Sequence, residues 1–98
     1  MRAIYTYPLL TTDVGQNCTM PVGSRVLDVY ARQQELFLSV LVINGTWRLE
    51  NRRFIVLPTG LVTATQAELS FIGLAVLDGD PPRVYHVFEE LHYEDIVR

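Results

Sequence analysis

Glu35-Leu36-Phe37-Leu38-Ser39-Val40-Leu41-Val42-Ile43 is an almost unbroken apolar, β-prone run, and it stops at Asn44-Gly45. The run is shorter than an ordinary globular helix and, read as a strand, it is apolar on both sides. Such a strand belongs at the centre of a sheet covered on both faces, or in a subunit interface; the central position is the reading adopted. Asn-Gly readily takes the positive φ angles of a two-residue hairpin turn, so a hairpin is expected to join this run to the next, which starts at Thr46.

Outward from this stretch, β-prone runs alternate with turn residues at hairpin spacing. Seven runs can be marked: Arg2 to Leu9, Gln16 to Met20, Ser24 to Arg32, Glu35 to Ile43, Thr46 to Leu57, Leu69 to Leu77 and Arg83 to Glu89. Pro21-Val22-Gly23, Gln33-Gln34 and Asp78-Gly79-Asp80-Pro81-Pro82 punctuate them, the last because Gly supplies unusual φ and Pro removes ladder donors. Simple alternation in the third run sets Leu27, Val29 and Ala31 on one face and Val26, Asp28 and Tyr30 on the other. Thr63 to Glu68 reads as a turn of helix or a solvated loop, and Glu89 to Arg98 as a short helix or a tail. Neither has the periodic apolar positions to anchor a mixed fold. The expectation is all-β, a small antiparallel sandwich or partly open barrel of about six to seven strands. One domain is expected over residues 1–89, followed by a carboxyl-terminal extension over 90–98.

The 98-residue chain carries eight basic and eleven acidic residues, a net charge of −3. That balance gives no electrostatic case for duplex nucleic acid, which demands clustered cations. All eight basic residues are Arg, a side chain that tolerates partial burial better than Lys; the codon bias of a high-GC genome is the simpler source of that usage. The single Cys18 cannot form an internal disulfide and reads as a small buried residue. Near the amino terminus, Ala3-Ile4-Tyr5-Thr6-Tyr7-Pro8 lacks the continuous apolar stretch of a signal peptide, and no run is long enough to span a bilayer. A cytosolic, membrane-free setting is therefore expected.

No residue set points to catalysis. His86 shares a strand face with Val84 and Phe88, a half-buried structural environment, and neither a nucleophile nor a carboxylate is tied to it by spacing. His86, His92, Glu89, Glu90, Glu94 and Asp95 crowd the carboxyl end, but they lack any familiar metal-ligand spacing, so a solvated acidic end is expected, with no metal and no cofactor. Pro58-Thr59-Gly60 has one Gly and no Lys, which makes it a plain turn or a turn offering free N–H groups to a ligand. Arg48, Arg52 and Arg53 lie on the fifth run. Arg48 and Arg52 share one face, and Arg53 shares the other with Trp47. Either face offers a site for a nucleotide or an acidic protein surface, while the plain reading is an exposed strand edge protected by charge.

Arg2-Ala3-Ile4-Tyr5-Thr6-Tyr7-Pro8-Leu9, Met20-Pro21-Val22-Gly23-Ser24-Arg25-Val26-Leu27, Arg53-Phe54 with Thr59-Gly60, Phe71-Ile72-Gly73 and His86-Val87-Phe88-Glu89 occur in that order. In this series the chain resembles a family of small uncharacterised proteins of tailed bacteriophages and their prophages, up to Glu89. The resemblance implies a phage-encoded protein acting in the host bacterial cytoplasm, and it implies no activity. It sets Arg53, Thr59, Gly60 and His86 inside shared motifs. The expectation is a non-enzymatic accessory protein that binds a host protein or a signalling nucleotide through Arg48, Arg52, Arg53, Thr59, Gly60 and His86. A virion structural or assembly protein, possible as a homo-oligomer, is the alternative.

Overall fold

The structure, a computed structural model, describes residues 2–12, 14–43, 48–61 and 67–91. Within them lie seven strands: β1 Arg2–Leu9, β2 Gln16–Pro21, β3 Arg25–Arg32, β4 Glu35–Ile43, β5 Leu49–Pro58, β6 Leu69–Leu77 and β7 Arg83–Glu90. All pairings are antiparallel. Sheet A has the order β1-β4-β3 and sheet B the order β2-β5-β7-β6. The two sheets form a small sandwich and do not close into a barrel. Each of the seven marked runs corresponds to one of these strands, the fifth from Leu49 onward. Asn44, Gly45, Trp47, Thr63 to Gln66 and the tail beyond Leu91 lie outside the described residues.

The core fills the space between the sheets. Leu36, Leu38, Val40 and Val42 of β4 and Val29 of β3 face Cys18 and Met20 of β2, Phe54 and Val56 of β5, Ala75 and Leu77 of β6, and Tyr85 and Val87 of β7. Each large side chain buried there contributes about 2 kcal/mol relative to exposure.

Four expectations need correction. First, β4 is central in its sheet but covered on one face only: its even-numbered residues are buried, whereas Phe37, Ser39 and Leu41 are half-buried and Ile43 is exposed. Second, β4 and β5 form no hairpin, because β1 and β3 occupy both edges of β4 and β5 pairs with β2 and β7 in the other sheet. β4 and β5, consecutive in the chain, therefore belong to different sheets. Third, simple alternation fails in β3. A register shift between Val26 and Asp28 makes Leu27 an extra residue, so Val26, Val29 and Ala31 face the core and Leu27 is exposed. Fourth, β5 is an interior strand, so Arg52 and Arg53 are not an edge guard.

A residue in the left-handed region is needed twice in the β3–β4 hairpin, and glutamines fill both places: Gln33 has φ 52° and Gln34 φ 67°. Gln34 offsets the strain by reaching the β6–β7 connection. Its Nε2 donates to the Asp78 carbonyl at 3.0 Å, and its Oε1 accepts from the Asp78 N–H at 2.9 Å. The same double clamp recurs at Gln16, whose amide holds the N–H and carbonyl of Leu10, both at 2.8 Å. Two glutamine amides thus tie loops of one sheet to elements of the other.

The two margins of the sandwich differ. At one, β3 and β6 come alongside each other, with Gly73 close to Asp28 and Val29, and each strand carries a bulge there, at Leu27 and at Ile72. At the other, β1 and β2 end their sheets.

Candidate functional site

The six expected site residues fall into two groups at opposite ends of β5. Arg52 has the parity of Phe54 and Val56 and therefore projects from the inner face of sheet B, at the end of the core. Glu89 of β7 lies on the same face. Arg52 Nε donates to Glu89 Oε2 at 2.7 Å, and a terminal nitrogen donates to Glu89 Oε1 at 2.8 Å. Its other terminal nitrogen donates to the Ser24 carbonyl. Both side chains are mostly buried, 18% and 19% exposed. The hydrogen bonds to Glu89 raise the Arg52 pKa further, against the opposing effect of burial. A cleft of about 510 Å³ opens over this pair, between the β2–β3 turn and the two bulged strands.

Arg53 projects from the opposite face and pairs with Glu90, its Nε 3.5 Å from Oε1. Gly15, in the β1–β2 connection, lies so close to both side chains that a Cβ there would collide with them. Arg52-Arg53 on β5 and Glu89-Glu90 on β7 thus make two complementary charge doublets, one ion pair on each face of the sheet. Arg48 precedes β5 and is exposed, its carbonyl accepting from Val22 N–H at 2.9 Å. The arginines do not converge: of the three, two are matched by carboxylates.

Thr59, Gly60 and His86 do converge. Gly60, at φ 92°, occupies the third position of a turn closed by the Leu61 N–H on the Pro58 carbonyl at 3.1 Å, a type II arrangement that favours Gly. The Thr59 N–H donates to the Val84 carbonyl at 3.0 Å, which docks the turn on β7. Two of its N–H groups are therefore already engaged, which weakens the reading of the turn as an anion cradle. Thr59 Oγ1 and His86 Nε2 are 3.0 Å apart and hydrogen-bonded. With Leu57, Leu61 and Phe88 they line a shallow pocket of about 250 Å³ on the outer face of sheet B.

The same outer face carries side chains that sequence reasoning passed over. Phe71 is 57% exposed and meets Phe88 edge-on, with ring centroids 5.4 Å apart. Leu74, 52% exposed, sits across from His86, and Val76 across from Val84. The available signal was period-two alternation in β6, where Phe71, Leu74 and Val76 stood out as apolar residues. The bulge at Ile72 concealed that they share a face. The carboxylates of the ion pairs were also overlooked, although two adjacent Glu residues in an apolar run invite partners on both faces.

Cys18 is buried, and burial pushes its thiol pKa up, which leaves it a poor nucleophile. Among the described residues, no three His, Cys, Asp or Glu side chains are placed to hold a metal ion. Glu89 and Glu90 face opposite ways, and His92, Glu94 and Asp95 lie outside the described residues. No helix among the described residues is long and apolar enough to cross a membrane.

The chain matches, over residues 1–95, a family described as a domain of unknown function (DUF7352). It belongs to this family. The match runs past Glu89, and β7 itself continues to Glu90, with the Leu91 N–H on the Glu68 carbonyl at 2.9 Å. No curated protein and no solved structure matches the chain.

Proposed function

We propose that this DUF7352 protein is a non-enzymatic accessory protein that binds a host protein, with the outer face of sheet B as its contact surface. The observation that supports this is the exposed patch of Phe71, Leu74 and Val76 beside the pocket of Thr59, His86 and Phe88. Aromatic and aliphatic side chains around a small pocket, rimmed by polar groups, have the make-up of a protein-binding hot spot. The nucleotide version of the reading is weaker. A phosphate needs unmatched cations, whereas Arg52 and Arg53 are matched by Glu89 and Glu90. The phage setting and the host cytoplasm rest on the sequence resemblance. A virion assembly role is the second reading, favoured by the uncovered apolar face of β4.

Affinity capture from host cells tests the proposal. Wild-type protein and an Ile4→Glu variant, altered on sheet A, are expected to retain the same partner, and Phe71→Glu to lose it. Equal retention by all three, or calorimetric heat with nucleotides and no protein partner, would overturn the reading.

A further inference from the structure

The outer face of sheet A carries a small hollow at the end where β1 starts. The strand register sets Arg2 of β1 opposite Ile43 of β4, and Arg25 of β3 opposite Leu41, all four on this outer face. With Gly23 of the β2–β3 turn they line a pocket of about 210 Å³. The turn shapes its mouth. The Ser24 N–H closes it on the Pro21 carbonyl at 3.1 Å, and Gly23, at φ 86°, takes the third position with open space where a side chain would stand.

The two arginines set this pocket apart. The ion pairs among the described residues are those of Arg52 and Arg53, so Arg2 and Arg25 have no carboxylate partner there. Both are exposed. They come from the strands on either side of β4, and Leu41 and Ile43 form an apolar floor between them. Two like charges lining one hollow repel each other, and an anion between them turns that repulsion into attraction.

We propose that this pocket binds a small phosphate monoester, with the phosphate held between Arg2 and Arg25 and the apolar body resting on Leu41 and Ile43. Charge and shape select this ligand. A phosphate monoester carries close to two negative charges at neutral pH and has three terminal oxygens, enough to serve both guanidinium forks with one oxygen shared. A carboxylate, with one charge and two oxygens, satisfies a single fork. The Leu41–Ile43 floor favours an alkyl substituent over inorganic phosphate. The volume lies below the roughly 300–1,000 Å³ of sites for drug-sized ligands, so the pocket encloses a short substituent rather than a nucleoside. This site is on sheet A, away from the sheet B surface proposed for the partner protein, and stands independently of it.

Chemical-shift titrations of the isotope-labelled full chain with n-butyl phosphate, inorganic phosphate and butyrate test this. Butyl phosphate is expected to shift the Leu41 and Ile43 methyls and the Gly23 and Arg25 amides, and to bind about fivefold or more tighter than the other two. Arg2→Gln and Arg25→Gln, both at exposed positions, should each weaken it by about tenfold. Arg32→Gln removes the same charge from the far end of the same face and should leave binding unchanged. Phosphatidylcholine vesicles with and without phosphatidic acid separate a soluble ligand from a lipid headgroup, and no capture by either is expected. The proposal would be overturned by the absence of saturable shifts at these residues, or by equal affinity for butyrate and butyl phosphate. An equal loss in Arg32→Gln, or vesicle capture that depends on phosphatidic acid, would do the same.

Discussion

Arg52 illustrates why a charged residue in a strand is not by itself a binding group. Its guanidinium closes the inner end of the core by gripping Glu89 in two places and the Ser24 carbonyl in a third. Removing one partner leaves the other charge mostly buried without a counterpart, so Arg52→Gln or Glu89→Gln should each destabilise the fold by about 1–3 kcal/mol in chemical denaturation. The double replacement Arg52→Leu with Glu89→Leu should cost less than the sum of the single changes. Strict additivity would mean that the pair does not act as a unit. Cys18 and Tyr7 make a pH prediction. Burial raises the thiol pKa, and it also raises that of the Tyr7 hydroxyl, with further contributions from Cys18 and Tyr5. Both groups hold their protons more tightly when folded, so their contribution to stability is fully present below the ordinary thiol value of 9.0 and falls as pH rises through the folded values. Thermal unfolding midpoints should therefore drop on the alkaline side, less steeply in Cys18→Ala. An unchanged alkaline slope in that variant would count against the thiol's role.

At the scale of elements, the seven strands were legible because apolar runs and turn residues agree along the chain. What connects them was less so. Asn44-Gly45 has the chemistry of a hairpin turn, yet the neighbours of β4 are chosen by long-range pairing, and β1 takes the edge that β5 would have needed. The bulges at Leu27 and Ile72 were hidden for a related reason: Val26 and Leu27 are equally apolar, so nothing local indicates which one faces the core. The ion pairs of Arg52 and Arg53 were not legible because their carboxylates lie 37 residues away along the chain, and only the β5–β7 register brings them together. The convergence of Thr59 and His86, by contrast, follows once β5 and β7 are neighbours. Gln34 yields the prediction that belongs here. Its left-handed backbone favours replacement by Gly, which alone would stabilise the turn by roughly 1 kcal/mol, but the change also breaks two hydrogen bonds to Asp78. Gln33→Gly should then stabilise the protein, and Gln34→Gly should give no gain or a loss. Equal gains from both in denaturant titrations would show that the clamp contributes nothing.

Across the whole molecule, the two sheets have different outer surfaces. Sheet A is apolar around β4 and ends in the open β1 edge, whereas sheet B combines an aromatic and aliphatic patch with the Thr59–His86 pocket and the Arg53–Glu90 pair. The charge of Arg52 is turned inward on this account, that of Arg53 is matched by Glu90 on the outer face, and recognition of the partner protein is left to the apolar face of β6 and β7. Chemical-shift mapping of isotope-labelled protein titrated with its captured partner tests this most directly. The account predicts perturbations confined to Thr59, Phe71, Leu74, His86, Phe88 and their neighbours on the outer face of sheet B. Perturbations centred instead on Ser24, Arg52 and Glu89, in the cleft at the end of the core, would contradict it.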